Sequence, residues 1–272
     1  MIKAVVAGAA GRMGGRIIHM IQQNEEITLT GAFERPDHPA IGQDVGEFVG
    51  LGTIGITLVA DIGEAMKGAD VLIDFTTPES TLDNIRFIAD TGQAMVVGTT
   101  GITGEDEKDL QALAQKIRCV RSPNMSVGVN VLFKIVNDLS IMLGKDCDME
   151  VVEAHHRLKK DAPSGTAMHL AKILADANER NLDASAVYGR KGFIGVRTNE
   201  EIGIQSIRAG DIVGEHTVMF AGTGERIEIT HRAHSRDNFA NGALRAALWI
   251  VTQSNGLYDM QDVLGLKEGK NV

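Results

Sequence analysis

Cysteine is nearly absent. Cys119 and Cys147 are the only two in 272 residues, with no CxxC or zinc-ligand spacing. That removes a disulfide scaffold and a cysteine-built zinc site, and it fits a reducing compartment. Basic residues are the minority: 27 Lys and Arg stand against 36 Asp and Glu, a net charge of −9. A broadly basic surface for nucleic acid is thereby excluded. Aromatic rings are few, at 4% of the chain. No unbroken apolar run approaches the roughly 18 residues of a membrane span. Lys3 followed by Ala4–Ala10 imitates a signal peptide until Gly8, Gly11 and Arg12 interrupt it. The expectation is a cytoplasmic protein with no membrane and no nucleic-acid partner.

What is present is a globular composition, 43% apolar and 23% charged, with 31 glycines, about 11% against a usual ~7%. The length suits two domains of ordinary size. In the first half, short apolar runs alternate with helical periodicity. Ile2–Ala7, Ile27–Phe33, Val71–Phe75, Ala94–Val97 and Cys119–Arg121 read as strands; Arg12–Gln23, Ser80–Asp90 and Glu105–Lys116 read as helices. This βαβ succession predicts an α/β fold with a Rossmann-like doubly wound parallel sheet. Beyond Ser126 the rhythm changes. Helices over Asn130–Leu143 and Ser164–Arg180 accompany strands at Met149–Ala154, Gly203–Arg208, His216–Phe220 and Arg226–Thr230, which predicts a second α+β domain with an open mixed sheet. Asn238–Gln253 reads as a helix returning to the first domain. The expected boundaries are 1–126 completed by 236–272, with 127–235 between them.

Gly8-Ala9-Ala10-Gly11-Arg12-Met13-Gly14 follows the first strand. Glycines there permit a tight reversal and let backbone N–H groups approach a pyrophosphate at a helix N-terminus. The spacing G-x-x-G-x-x-G is weak alone, but the second strand ends at Glu34, placed 20 residues beyond Gly14, where a carboxylate can bind the adenosine ribose hydroxyls. Arg35 can pair with a 2′-phosphate, and Arg12 is a second candidate or else a surface charge. Both NADH and NADPH therefore stay open. Three further loops follow predicted strands: Asp74–Pro78, Gly98-Thr99-Thr100-Gly101 and Ser122-Pro123-Asn124-Met125-Ser126. They can line the nicotinamide ribose and carboxamide, or serve only as turns.

The segment Glu153–Thr166 concentrates His155, His156, Arg157, Lys159 and Lys160 within six residues, then opens a helix with Pro163-Ser164-Gly165-Thr166. Free N–H groups at a helix start favour an anion, while histidine and lysine exchange protons. A small substrate bearing more than one carboxylate suits such a site. His155, His156, His231 and His234 invite a metal, but no carboxylate or cysteine completes a set, and no metal is expected.

The run His155-His156-Arg157-x-Lys159-x-Asp161-Ala162-Pro163-Ser164-Gly165-Thr166-Ala167 resembles the signature of the dihydrodipicolinate reductase family, and the likeness extends over essentially the whole chain. The resemblance implies an NAD(P)H-dependent oxidoreductase. Its reaction is the reduction of 4-hydroxy-tetrahydrodipicolinate to tetrahydrodipicolinate, in the diaminopimelate route to lysine. It implies His155 as acid/base residue and Lys159 as proton donor. His156 and the Gly165-Thr166 backbone would bind substrate carboxylates, with Thr100 reaching toward the substrate. Cofactor contacts would fall on Gly8–Met13, Glu34, Arg35, Gly98–Thr100 and Ser122–Met125. A homotetramer assembled through the open sheet of the second domain is also implied. Two other readings share fewer of these features: a different NAD(P)-dependent oxidoreductase of a small acid, and a non-enzymatic nucleotide sensor.

Overall fold

The computed structural model describes residues 1–267; residues 268–272, which the expected boundaries place in the first domain, lie outside the described residues. The strands are β1 (Ile2–Ala7), β2 (Ile27–Phe33), β3 (Leu58–Val59), β4 (Val71–Asp74), β5 (Ala94–Val97) and β6 (Arg118–Arg121). They continue as β7 (Asp148–His155), β8 (Ala186–Tyr188), β9 (Ile202–Arg208), β10 (Gly214–Ala221), β11 (Arg226–Ala233) and β12 (Gly256–Tyr258). The chain divides into two compact units, Met1–Val127 together with the segment from Arg236 onward, and Gly128–Ser235.

In the first unit seven strands form one sheet in the order β12-β6-β5-β4-β1-β2-β3, all paired in parallel. Period-two alternation between two buried faces explains why its central strands are apolar apart from Lys3 near the start of β1 and Asp74 at the end of β4. Ala4, Val6, Ile73 and Val96 face a core shared with Ile17, Ile18, Ala243, Ala247 and Ile250. Val5, Ala7, Leu72, Met95 and Cys119 face the opposite core with Leu82, Ile85, Ile88 and Leu110. Helices Arg12–Gln22 and Asp237–Ile250 therefore cover one face, and Pro78–Thr91 and Gly104–Ala114 the other. The returning helix comes very close. A Cβ on Gly242 would lie 1.7 Å from the Met125 carbonyl oxygen, so only glycine permits that approach. The chain then adds β12 beside β6.

In the second unit five strands form a mixed sheet, β11-β10-β7-β9-β8, with β7 antiparallel to β10 and parallel to β9. Helices Val127–Leu143 and Gly165–Ala177 supply Val129, Leu132, Phe133, Leu170 and Leu174 to a core with Met149, Val151, Val218 and Phe220. On β7 every second residue is buried, from Met149 through Val151 and Glu153 to His155. The inward face thus passes from apolar to ionisable within one strand.

Helix Val127–Leu143 runs into a 3₁₀ turn, and the combined Val127–Asp146 stretch is long and apolar enough to cross a membrane by length and composition, with mean hydropathy 1.4. Lys134 and Asp138 interrupt its apolar run in the sequence, and they form an ion pair at 2.8 Å. The face carrying Val129, Leu132, Phe133 and Val136 packs into the second unit's core.

Candidate active site

All strands of the first sheet run the same way, so the turns after β1, β2, β4, β5 and β6 gather at its carboxyl edge. The chain leaves β1 toward β2 on one side and returns to β4 on the other, which makes β1/β4 the switch point where open sheets bind ligands. Gly8 there has φ +61, and a Cβ on it would lie 2.9 Å from Thr76 Cγ2 in the turn after β4. A Cβ on Gly14 would come within 2.2 Å of the Gly8 carbonyl oxygen and 2.7 Å of Ala9 Cα. The loop is thus folded onto the first helical turn. Gly11 is the N-cap and has no side chain to occupy the helix N–H groups. Arg12 and Met13 open the helix, and Ala9 N–H donates to the Phe33 carbonyl at 3.3 Å.

Glu34 is drawn to the same loop. Ala10 N–H donates to its Oε2 at 3.3 Å, and Arg35 N–H donates to Oε1 at 3.1 Å. Arg35 is exposed and pairs with Asp37 at 3.3 Å. The Asp74–Pro78 and Gly98–Gly101 loops are joined by a buried polar network absent from the sequence reading. Asp74 accepts from Asn84 Nδ2 at 2.9 Å and from the Thr76 hydroxyl at 2.6 Å. Thr81 donates to the Thr99 hydroxyl at 2.8 Å, and Thr76 N–H donates to the same oxygen at 3.0 Å. Burial pushes the Asp74 carboxyl upward, against these hydrogen bonds. The Thr99 hydroxyl therefore faces inward and ties the loops together, whereas Thr100 is exposed. Gly98 makes room for the Phe75 ring, which would lie 2.2 Å from a Cβ. Ser122 and Met125 are buried, and Pro123 is exposed. Asn124 accepts from Ser126 N–H at 2.8 Å. This edge fits a dinucleotide: the loop space that any Cβ would fill lies against uncapped helix N–H groups, with a carboxylate beside it.

In the second unit, β7 ends at His155, whose ring the structure places among groups the sequence reading did not assemble. Glu153 Oε2 lies 2.5 Å from His155 Nδ1. Arg208 donates to both Glu153 oxygens at 2.8 Å. His216 stands edge-on to His155, with ring centroids 5.2 Å apart, and its Nε2 lies 3.1 Å from Ser164 Oγ. Ser164 caps helix Gly165–Ala177 by accepting from Ala167 N–H at 3.2 Å. Lys159 Nζ donates to Asp161 at 2.8 and 2.9 Å. His156 Nδ1 is buried with no hydrogen-bond partner among the described residues, and nothing lies within 4 Å of where a Gly165 Cβ would stand. Among the described residues no three His, Cys, Asp or Glu side chains gather as metal ligands.

The electrostatics follow from burial. Burial pushes Glu153 up, but Arg208, Ser206 and His155 outweigh it and hold the carboxyl at about 2. Burial, followed by the nearby His155, lowers His216 to about 3. Burial also lowers His155, against the opposing pull of Glu153. The unit thus sets a neutral imidazole pair and a buried carboxylate near an ammonium and a helix start. Glu153, Arg208 and His216 escaped the sequence reading. Only the two-residue offset of Glu153 from His155 on one strand pointed to any of them.

A parallel sheet with a glycine turn at its switch point, joined in one chain to an α+β unit bearing acid–base groups, defines a two-domain protein of the Rossmann nucleotide-binding class. The family model described as "Dihydrodipicolinate reductase, N-terminus" matches residues 2–125, and "Dihydrodipicolinate reductase, C-terminus" matches residues 128–264. The chain belongs to the dihydrodipicolinate reductase family and is an oxidoreductase. It is 52% identical to a 4-hydroxy-tetrahydrodipicolinate reductase of Syntrophus aciditrophicus and 54% identical to one of Syntrophobacter fumaroxidans. Each alignment covers 98% of this chain and 100% of the relative. The fold is similar to a dipicolinate-bound dihydrodipicolinate reductase from Paenisporosarcina sp. TG-14, with TM-score 0.74 and 23% identity over 96% of this chain and 98% of that one.

Proposed function

We propose that this protein reduces 4-hydroxy-tetrahydrodipicolinate to tetrahydrodipicolinate with NADH or NADPH, within the diaminopimelate route to lysine. The observation that carries the reading is the cluster of His155, His216 and Glu153 in the same unit as the Lys159–Asp161 pair and the Ser164-capped helix start. The first unit is the dinucleotide-binding domain; the second binds substrate and assembles the oligomer.

For the atoms to balance the 4-hydroxyl leaves as water, and the nicotinamide, when bound, would supply a hydride to an electron-poor carbon of the conjugated ring that results. The protein's own residues do the rest. The Gly8–Gly11 turn brings the helix-start N–H groups of Arg12 and Met13 to the pyrophosphate, Glu34 takes the ribose hydroxyls, and Arg35 or Arg12 meets a 2′-phosphate. The turns at Gly98–Thr100 and Ser122–Met125 orient the nicotinamide end, Thr99 through its backbone. In the second unit His156 and the N–H groups of Gly165 and Thr166 hold the substrate carboxylates. Electron density left on the ring by the hydride is neutralised by a proton from Lys159 Nζ, and His155 exchanges protons beside it. The reading needs no metal, nucleic acid or membrane, and it places the protein in the cytoplasm as a homotetramer joined through the second unit's sheet.

The test generates the substrate from pyruvate and aspartate semialdehyde with the preceding synthase and follows dinucleotide oxidation at 340 nm. Synthase-dependent oxidation is expected; none, with NADH still bound, would sink the substrate assignment. Glu34→Ala in the same assay is expected to move the ratio of kcat/KM values toward NADPH by about tenfold, which corresponds to ~1.4 kcal/mol of like-charge repulsion relieved. An unchanged ratio would remove Glu34 from cofactor discrimination.

A further inference from the structure

One buried carboxylate takes no direct part in this chemistry. Glu153 has no exposed surface and leaves β7 on the same face as His155, two residues on. Its two oxygens are held from several sides, by Ser206 among others. Arg208 Nη1 and Nη2 reach Oε2 and Oε1 at 2.8 Å each, Ser164 N–H donates to Oε1 at 3.2 Å, and His155 Nδ1 lies 2.5 Å from Oε2. Arg208 is held in turn by the carbonyls of Ile207 and Asp161, both at 2.7 Å. We propose that Glu153 is the positioning residue of His155: it fixes the ring hydrogen on Nδ1, so that Nε2 is the nitrogen that exchanges protons. The tautomer stands on geometry alone, and its use in turnover rests on the reductase reading above.

An ionised carboxylate only accepts hydrogen bonds, so the imidazole nitrogen facing it must be the donor, and the neutral ring then carries its lone pair on Nε2. The backbone is also shaped to that nitrogen. Gly214 abuts the far side of the ring, where a Cβ would stand 3.1 Å from Nε2. A buried ion pair is by itself a poor source of stability, so the Glu153–Arg208 fork is better explained by orientation than by holding the fold.

The charges facing the ring set the sign of the pH effect. Glu153 acts from the same strand, Lys159 (itself paired with Asp161) from the following turn, Arg208 from β9 and His216 from β10. Glu153 raises the pKa of the imidazole, while burial, Lys159 and Arg208 lower it. Removing the Glu153 charge must therefore move the imidazole further down.

Glu153→Gln tests this, because the amide keeps the shape and loses the charge. With its oxygen claimed by Arg208, its NH2 faces Nδ1 and demands an acceptor there. In ¹⁵N-histidine spectra, with His155 assigned by its loss in His155→Asn, the wild-type ring is expected to be protonated on Nδ1 and the variant ring on Nε2. In turnover, kcat should fall about 100-fold with KM within about threefold, and the acid limb of the pH profile should move down by about one unit. Arg208→Lys leaves the carboxylate in place and should keep the wild-type tautomer with a much smaller loss. A wild-type ring protonated on Nε2 overturns the proposal, whether or not Glu153→Gln folds. So does a folded Glu153→Gln protein with unchanged spectrum and pH profile. The tautomer is read without substrate, so absence of reductase activity in the wild type would remove the reductase reading and leave this result standing.

Discussion

Lys159→Ala is expected to lower kcat by a factor of about 10²–10⁴, the usual contribution of a positioned general acid, while dinucleotide affinity stays within about twofold. The ammonium is held by both oxygens of Asp161, and its side chain is only 21% exposed. Steady-state turnover with a fluorescence titration of NADH separates the two quantities. Lys159→Arg sharpens the test. Arginine keeps the positive charge but does not release a proton near neutral pH, so it should fail to restore turnover if the lysine acts as donor. It should restore turnover if only charge is needed. A protein that merely senses nucleotide would be indifferent to both changes, and kcat within threefold of wild type in Lys159→Ala would discard Lys159 as the donor.

Gly14→Ala is expected to weaken dinucleotide binding by about 100-fold, or ~2.7 kcal/mol, the scale of one or two lost hydrogen bonds to a charged group. The added methyl meets backbone, the Gly8 carbonyl oxygen at 2.2 Å and Ala9 Cα at 2.7 Å, so no side chain can rotate away to relieve it. The loop must move off the helix start, and its N–H groups lose their common aim. Titration calorimetry with NADH reads the loss, and circular dichroism checks that the sheet is retained. Affinity equal to wild type would mean that the dinucleotide does not use this loop.

Much of the architecture was legible because burial on both faces leaves a plain trace. β1, β4 and β5 are short, mainly apolar runs, broken only by Lys3 and Asp74, and each is followed by a helical period. What was missed is short or half-polar. β3, β8 and β12 have two or three residues each, too few for any periodicity, and their pairing is set by the strand beside them. The candidate site divides in the same way. Gly8, Glu34, His155 and Lys159 stood out because their chemistry is compressed into local patterns. Glu153 reads as one more acid in an acidic chain, and Arg208 and His216 lie more than 50 residues further on. Only the pairing of β7 with β9 and β10 brings them to the same imidazole. Thr99 shows the opposite case: its place in a loop was legible, but the inward turn of its hydroxyl was set by Asp74, Thr76 and Thr81.

The way the first unit is closed bears on how the protein must be made. The edge of β6 is covered by β12, and one face of the sheet by helix Asp237–Ile250, yet 128–235 is synthesised before either. A nascent chain emerging from the ribosome therefore carries a complete second unit while the first still shows an open strand edge and a bare patch around Val96 and Val120. Messages or proteolysis that end the chain before residue 237 should thus give a product that retains the second unit and needs chaperone protection for the first.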